Sequence, residues 1–202
     1  MYCPMTRARP YDRDTALDAA MTLFWQKGFH ATSLKDLEGA LQMKPGSIYA
    51  AFHSKQALYL EALDRYLGIS RNTLATLAAR EASPLTALAQ FLRRFGTPDL
   101  TKRGPAICMI VKTLIDATKE EPEIQAAAKA HLATMTGDFA ALFQRAQEIG
   151  ELPASAKPHL LARKFQMSIT ALRFEAQRSG GDEDLMDLAE EMARDIERLR
   201  IQ

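Results

Sequence analysis

The sequence predicts an all-α protein of about nine helices, and three observations lead to that prediction. Apolar residues recur at three- and four-residue steps along most of the 202-residue chain, which is the period of helices buried on one side. Glycine, proline and capping serine residues interrupt the pattern at intervals that suit helix ends. No stretch of useful length alternates between apolar and polar residues, as a half-buried strand would.

The first 55 residues contain signals for three helices and for the start of a fourth. One helix is expected from about residue 11 or 12 to Gly28, which can take the left-handed conformation of a helix cap. Ser33 opens the second helix in a weaker relative of the capping box, with Asp36 three residues later. After a break at residues 42–44, Pro45 suits the first turn of a third helix.

The second and third of these helices form the pattern of a helix-turn-helix. Ile48, Ala51 and Phe52 share one face of the third helix, so we expect them to pack on the preceding helix. The outward face carries mostly small side chains, and such a helix is narrow enough to enter the major groove of DNA. Helical hairpins are common, so the pattern alone does not decide the function.

The rest of the chain contains signals for six further helices. Prolines and capping residues place them at residues 54–82, 84–95, 105–119, 122–149, 158–178 and 182–199. The segment 105–119 is almost continuously apolar, so we expect it to form a buried central helix.

Composition and charge argue against a disordered chain, a secreted protein and a membrane-spanning protein. Hydrophobic residues make up 47% of the chain and charged residues 25%, with a formal net charge of +1, which is typical of globular proteins. Residues 1–55 contain seven basic and five acidic side chains, whereas residues 182–202 contain three basic and eight acidic ones. The few cysteines, the lack of a secretory signal and the lack of an apolar run of about 20 residues favour a soluble, cytoplasmic protein without a membrane span.

The residues of the helix-turn-helix give it a family likeness. The run G-F-x-x-T-S-L-x-D-L, followed by P-G-S-I-Y-A-A-F-x-S-K-x-x-L, resembles the TetR/AcrR family of bacterial transcription regulators. The matching residues are Gly28, Phe29, Thr32, Ser33, Leu34, Asp36, Leu37, Gly46, Ser47, Ile48, Tyr49, Phe52, Ser54, Lys55 and Leu58. The resemblance implies a homodimeric repressor, which binds a palindromic operator in double-stranded DNA and releases it when a small molecule fills the C-terminal domain.

The resemblance also implies that the chain consists of two functional domains. Residues 1–55 would form the helix-turn-helix DNA-binding domain, and residues 56–202 a helical domain for effector binding and dimerisation. Within the first domain the implied phosphate contacts are Ser33, Tyr49 and Lys55, the residues nearest the bases are Gly46, Ser47 and Ala50, and Lys44 and His53 lie at the edges. Arg7, Arg9 and Arg13 are expected to reach the DNA backbone. Phosphate contacts supply affinity and base contacts supply sequence preference.

The resemblance places the dimer contact in the last two helices, which would form a four-helix bundle with those of a second subunit. An apolar stripe supports this expectation in the acidic last helix, with a matching stripe in the helix before it. The residues are Leu185, Leu188, Met192, Ile196 and Leu199, facing Phe165, Ile169, Leu172 and Ala176. The alternative is that both stripes pack inside one subunit.

An effector pocket is expected to be mainly apolar with a few polar groups. The candidate residues are Phe91, Phe95, Cys108, Met109, Lys112, His131, Met135, Phe139 and Phe165. They suggest an apolar or aromatic effector, although packing in a core or a place on the surface is the more common role for each of these residue types. Cys108 also allows an alternative function, a repressor that senses oxidants or electrophiles through this thiol. Lys112, four residues on, could stabilise the thiolate.

Two other functions compete with the regulator. An enzyme is disfavoured because the chain has no phosphate-binding loop, no His-Glu metal motif and no nucleophile with a recognisable partner. The four histidines also lack ligand spacing, so we expect no catalytic residue, no metal site and no cofactor. An interaction protein that has lost DNA binding is disfavoured because Tyr49 and Lys55 are intact.

Overall fold

The structure, a computed structural model, describes residues 12–97, 107–179 and 183–201. Within these ranges it contains nine α-helices and one 3₁₀ turn, and no strand, which confirms the all-α fold class. The helices are α1 (Arg13–Lys27), α2 (Leu34–Leu41), α3 (Pro45–Phe52), α4 (Lys55–Arg80), α5 (Pro84–Arg93), α6 (Met109–Asp116), α7 (Pro122–Glu148), α8 (Pro158–Ser179) and α9 (Glu183–Glu197). The 3₁₀ turn, Arg94–Gly96, follows α5. No helix in the described ranges is long and apolar enough to cross a membrane.

The chain folds into two compact units, Met1–Arg65 and Tyr66–Gln202, which are called the N-terminal and the C-terminal unit below. The boundary between them falls inside α4. The functional division at Lys55 stays a prediction, because it concerns what each part binds.

Local capping signals set the helix ends of the N-terminal unit as predicted. The Asp12 side chain accepts a hydrogen bond from the backbone of Asp14 at the start of α1, and Gly28 ends α1 with a φ of 84°. Ser54 accepts a bond of 3.0 Å from the backbone N–H of Ala57 at the start of α4. The core of this unit is aromatic in part, since the ring of Tyr59 meets Phe24 edge-on with 4.9 Å between centroids.

The core of the C-terminal unit is built around α5, α7, α8 and α9. On α5, Leu85, Leu88 and Leu92 are completely buried. Phe139 and Phe143 of α7 and Phe165 of α8 are also completely buried, so three helices contribute large side chains to one core.

A close contact and an ion-pair network join α5 and the turn after it to α9. The Arg93 guanidinium donates to Glu190 at 2.7 Å and to Glu197 at 2.9 Å. A Cβ atom added to Gly96 would lie 2.8 Å from the Cβ of Ala189 and 3.1 Å from the Cα of Met186. Glycine is therefore required at this position by the close approach of α9.

The prediction of a buried helix over residues 105–119 is wrong in two respects. The helix α6 covers only Met109–Asp116, and residues 117–119 have left the helical conformation; residues 105 and 106 lie outside the described ranges. Met109, Ile110 and Thr113 are buried, but Ile115 is 76% exposed. Cys108 precedes the helix as its N-cap and is only partly buried.

The apolar stripes assigned to a dimer contact lie mostly inside the chain's own core. The four α8 residues, Phe165, Ile169, Leu172 and Ala176, are all buried, and so is Leu185 of α9. Met192, Ile196 and Leu199 pack against the same core, and only Leu188 is exposed. The alternative of packing within one subunit is thus correct for these residues, so a dimer through α8 and α9 requires a different face. Asp182, at which the sequence predicts the last helix to begin, lies outside the described ranges.

Candidate nucleic-acid interface

The start of α2 is fixed by a reciprocal capping box. The backbone N–H of Asp36 donates to the Ser33 hydroxyl oxygen at 3.1 Å, and the backbone N–H of Ser33 donates to the Asp36 carboxylate at 2.8 Å. The Ser33 hydroxyl also donates to that carboxylate at 2.7 Å. Lys27 lies 2.6 Å from Asp36, and this ammonium group together with the bonds from Ser33 holds the pKa of Asp36 well below its ordinary value.

The connection between α2 and α3 is tight and well defined. Gln42 takes a left-handed conformation with φ 53° and ψ 38° as the C-cap of α2. Met43 is buried, Lys44 is the N-cap of α3, and Pro45 occupies its first turn. The two helices are therefore held at a short, fixed connection, as a helix-turn-helix requires.

The helix α3 has one buried face and one exposed face. Ile48 and Phe52 are 3% and 0% exposed, and they anchor the helix in the N-terminal unit. The exposed residues are Lys44, Gly46, Tyr49, Ala50 and His53, and Ser47 is partly buried. A Cβ added to Gly46 would meet nothing within 4 Å, so the outward surface is low and open there.

Lys55 and Arg13 each place a cationic group over an aromatic ring, and Arg13 also forms an ion pair. The Lys55 ammonium lies 4.5 Å from the centroid of the Phe29 ring, so in this conformation the charged end of the side chain rests against the N-terminal unit. Arg13 donates to both oxygens of Glu61, at 2.9 and 2.6 Å, and its guanidinium lies 4.8 Å from the Phe52 ring centroid. Arg13 is thus engaged within the N-terminal unit and does not extend outward as expected. Arg7 and Arg9 lie outside the described ranges.

The nine residues predicted to line an effector pocket fall into two groups. Phe91, Phe95, Met109, Met135, Phe139 and Phe165 are buried, and Cys108, Lys112 and His131 are partly buried. The structure brings the four phenylalanines together, with centroid distances of 4.8 Å for Phe139–Phe165, 5.5 Å for Phe91–Phe95 and 5.8 Å for Phe91–Phe139. Such edge-on and tilted contacts between rings stabilise a core beyond the area they bury.

Sequence reasoning missed two residues that lie beside this cluster. Tyr66 of α4 is buried, which raises the pKa of its hydroxyl, and the neighbouring Cys108 thiol also raises it while the positive charge of Arg173 opposes the shift. The Arg173 guanidinium of α8 lies 4.7 Å from the Phe95 ring centroid. Tyr66, Cys108 and Arg173 belong to α4, to the start of α6 and to α8. No spacing in the sequence therefore connects them.

The described ranges hold no cluster of three or more His, Cys, Asp or Glu side chains that could bind a metal ion.

Comparison with known proteins assigns the family. The family described as bacterial regulatory proteins, tetR family, matches residues 16–62, which span α1 to the first part of α4. The HTH-type transcriptional repressor ComR of Escherichia coli K12 is 32% identical over 187 residues, covering 91% of this chain and 89% of ComR. The HTH-type transcriptional repressor BdcR of the same strain is 32% identical over 106 residues, covering 52% of this chain and 54% of BdcR.

A solved structure agrees with this assignment. It is a cysteine mutant of the TetR family transcriptional regulator CifR, complexed with 26-base-pair double-strand operator DNA. It is 30% identical, with a TM-score of 0.81 over 93% of this chain and 98% of that chain. With the fold, the helix-turn-helix and a relative matched over nearly its whole length, the chain belongs to the TetR family of bacterial regulatory proteins.

Proposed function

We propose that the protein is a transcriptional repressor, which binds a palindromic operator as a homodimer and releases it when a small molecule binds in the C-terminal unit. The observation that carries the proposal is the exposed face of α3. Gly46, Tyr49 and Ala50 face outward there, while Ile48 and Phe52 hold the opposite side in the core. Repressors related in sequence, and a related regulator complexed with operator DNA, support it.

The shape of α3 suits the major groove. A helix with its side chains is about 10–12 Å across and the major groove is about 12 Å wide, so small outward residues allow close approach. Gly46 and Ala50 supply such a surface, with Ser47 between them. Between Pro45 and Phe52 the helix has no Arg, Asn or Gln, the side chains that read base edges in pairs of hydrogen bonds. Sequence preference would therefore depend on Lys44, on contacts with methyl groups and on DNA shape.

Tyr49 and Lys55 are proposed to contact phosphates on either side of the groove, and the start of α2, next to Ser33, is proposed as a third contact point. The hydroxyl of Tyr49, which is 45% exposed, and the ammonium of Lys55 are donors that can reach an oxyanion. The Ser33 hydroxyl donates to Asp36 in the capping box, so its proton is not available to a phosphate in this conformation. At this helix start, phosphate contact would rely on the remaining first-turn N–H groups of α2.

The dimer is proposed to form through a face of α8 opposite to its buried one. Leu160, Met167 and Phe174 recur at seven-residue steps, which places them on one side of the helix. Met167 and Phe174 are 70% and 62% exposed. Single exposed apolar residues are ordinary, but a row of large ones suggests a protein–protein contact. Ala171 lies between them, and Leu188 of α9 adds an exposed apolar side chain.

The effector is proposed to be an apolar or aromatic molecule that enters beside the phenylalanine cluster. The buried rings of Phe91, Phe95, Phe139 and Phe165 would give the effector an apolar surface. Lys112 and His131, which are partly buried, are the polar residues proposed to contact it. Binding that favours one arrangement of these helices over another would change the affinity for DNA by linkage.

A second candidate is a repressor that senses electrophiles or oxidants through Cys108. The observation in favour is the position of this thiol, at the start of α6 and next to the Tyr66 hydroxyl; helix starts are places where reactive cysteines occur. Changing Cys108 to Ser would remove the response to quinones or aldehydes if the thiol is the sensor. An unchanged release of DNA by these compounds would reject this candidate.

The DNA-binding proposal is tested by footprinting the full-length protein on the DNA upstream of its own gene, at increasing salt. We expect a palindromic footprint, with an affinity that falls steeply as salt rises because counterions are released from the phosphates. Tyr49→Ala should weaken binding to every sequence, whereas Lys44→Ala should also change sequence preference. The absence of binding to any genomic DNA would contradict the proposal and favour an enzyme or an interaction protein.

The dimer proposal is tested by sedimentation at micromolar concentration. We expect a dimer, and we expect Met167→Glu or Phe174→Glu to convert it to a monomer by placing a charge on the apolar row. The matched control is Ile115→Glu, because Ile115 is 76% exposed on α6 and lies outside the proposed face. A monomeric wild-type protein, or a dimer that resists both α8 substitutions, would reject the proposed face.

A further inference from the structure

A surface groove of about 490 Å³ lies between α6, α7 and α8 of the C-terminal unit. Its volume falls in the range of about 300–1,000 Å³ that small-molecule sites occupy. Its lining includes the apolar side chains of Leu114 of α6 and of Leu132, Ala133 and Ala140 of α7. None of the nine residues predicted to line an effector pocket lines this groove, so it is a separate candidate site.

The ionisable residues that line this groove are all basic. They are Lys129 of α7 and His159 and Arg163 of α8, and no carboxylate lines the groove. Lys129 donates to Gln125 at 2.9 Å, which leaves its positive charge uncompensated. Within the described part of the chain, neither His159 nor Arg163 has an ion-pair or side-chain hydrogen-bond partner. The groove thus combines an apolar surface with the cationic side chains of Lys129 and Arg163, which can pair with an anion.

We propose that this groove binds a small amphipathic anion, a carboxylate with an aliphatic or aromatic tail. The tail would cover Leu132 and the neighbouring apolar side chains, and burial of apolar area would supply most of the affinity. The carboxylate would accept charge-assisted hydrogen bonds from the Arg163 guanidinium, whose planar donor pair matches its two oxygens. The open side of the groove leaves the charged head partly in water, which avoids the cost of burying an ion.

This inference goes beyond the proposed function, because it concerns a site that is neither on α3 nor in the phenylalanine cluster. Its test needs no DNA, so its failure leaves the repressor proposal untouched. The other possible occupant is a second copy of this chain, whose last helix is rich in acids. The dimer proposed above uses Met167 and Phe174, neither of which lines the groove.

The first experiment is calorimetric titration of the full-length protein with decanoate, kept below its micellar concentration. We expect saturable binding of decanoate and about tenfold weaker binding of decanol, which lacks the charge, as the loss of one charged hydrogen bond implies. Arg163→Gln should weaken decanoate binding by about the same factor and leave decanol binding unchanged. Arg145→Gln is the matched control, since Arg145 is exposed on α7 and lies outside the groove.

The second experiment fills the groove. A Cβ at Gly137 meets nothing within 4 Å, so Gly137→Leu adds a side chain to the groove without a clash at its base and with better helix propensity. We expect decanoate binding to fall by at least about tenfold. Ala141→Leu, at an exposed α7 position outside the lining, should bind decanoate as the wild type does.

Three results would overturn the proposal. One is the absence of decanoate binding to the folded wild-type protein. Another is decanoate binding that survives both Arg163→Gln and Gly137→Leu, since the ligand would then occupy another site. The third is a wild-type dimer that Gly137→Leu converts to a monomer while Ala141→Leu does not, which would assign the groove to contact between subunits.

Discussion

In the N-terminal unit, short helices with fixed ends present an exposed face, whereas in the C-terminal unit long helices enclose an aromatic core. The helices α2 and α3 have eight residues each, and each begins or ends at an identifiable local signal. The helices α7 and α8 have 27 and 22 residues, and their buried rings come from positions far apart in the sequence. The difference separates structure set by local chemistry from structure set by tertiary packing.

The same contrast applies to function. On α3, the candidate DNA contacts lie within residues 46–50 on one exposed face, so their geometry follows from one helix. Around Phe95, the rings and polar groups come from α4, α5, α7 and α8, so any ligand site depends on how several helices pack. Substitutions on the exposed face of α3 should therefore weaken DNA binding without affecting folding. Substitutions in the aromatic core of the C-terminal unit should instead lower its stability.

The largest effect on stability is expected for Phe165→Ala, which removes a completely buried ring from the cluster. Urea denaturation followed by circular dichroism should show a loss of about 3–5 kcal/mol in the free energy of unfolding. Phe174→Ala is the control on the same helix, because that ring is 62% exposed. Its effect should be small and should depend on protein concentration, since it would act through the dimer. Equal losses at both positions would contradict the assignment of faces on α8.

The second largest effect on stability is expected for Gly96→Ala. The new methyl group would meet Ala189 at 2.8 Å, and relief of that overlap should cost about 1–3 kcal/mol of unfolding free energy in thermal or urea denaturation. Gly137→Ala, where the methyl group meets open space, should instead stabilise by up to about 1 kcal/mol through helix propensity. A Gly96→Ala variant as stable as the wild type would mean that α9 does not approach so closely.

A smaller effect is expected for Ser33→Ala, which removes the side-chain cap of α2. The unfolding free energy should fall by about 1 kcal/mol, and the loss should be measurable in chemical denaturation. Ser155→Ala, at an exposed turn position, is the control and should have no measurable effect. If the two variants have equal stability, the capping box does not hold α2.

The smallest effect is expected for Asp36→Asn, which should change how stability depends on pH in acid. The folded-state pKa of Asp36 is lowered by Lys27 and Ser33, so the carboxylate stabilises the fold above its unfolded pKa of about 3.9. This contribution is lost as the pH falls below that value toward the lower folded-state pKa. Asp36→Asn should be less stable at neutral pH and should show a flatter decline under acid denaturation. An unchanged acid decline would mean that the Lys27–Asp36 pair is not formed in solution.

The sequence predicted most helix ends because the signals for them are local. Gly28, Ser33, Pro45 and Ser54 each act through their own backbone or through a residue three or four positions away. The prediction for α6 was wrong because a largely apolar segment does not say where a helix ends. Ile115 is apolar and yet exposed.

Long-range contacts could not be predicted in the same way. Arg13 pairs with Glu61, 48 residues away, and nothing near Arg13 in the sequence marks that partner. Tyr66, Cys108 and Arg173 meet only because three helices pack together. The two faces of α8 were confused for a related reason, since both carry large apolar residues and only the packing determines which one is buried.

The central claim is that the exposed face of α3 contacts DNA, and Ala50→Glu tests it most directly. Ala50 is exposed, so the substitution should leave the fold intact while placing a negative charge and a larger side chain against the operator. Ala75→Glu, at an exposed position of α4 in the C-terminal unit, makes the same change of charge elsewhere.

The measurement is the affinity of each variant for the footprinted operator, by fluorescence anisotropy at one salt concentration. We predict that Ala50→Glu weakens binding by at least about a hundredfold, while Ala75→Glu binds within about twofold of the wild type. Equal operator affinity for Ala50→Glu and the wild-type protein would contradict the claim.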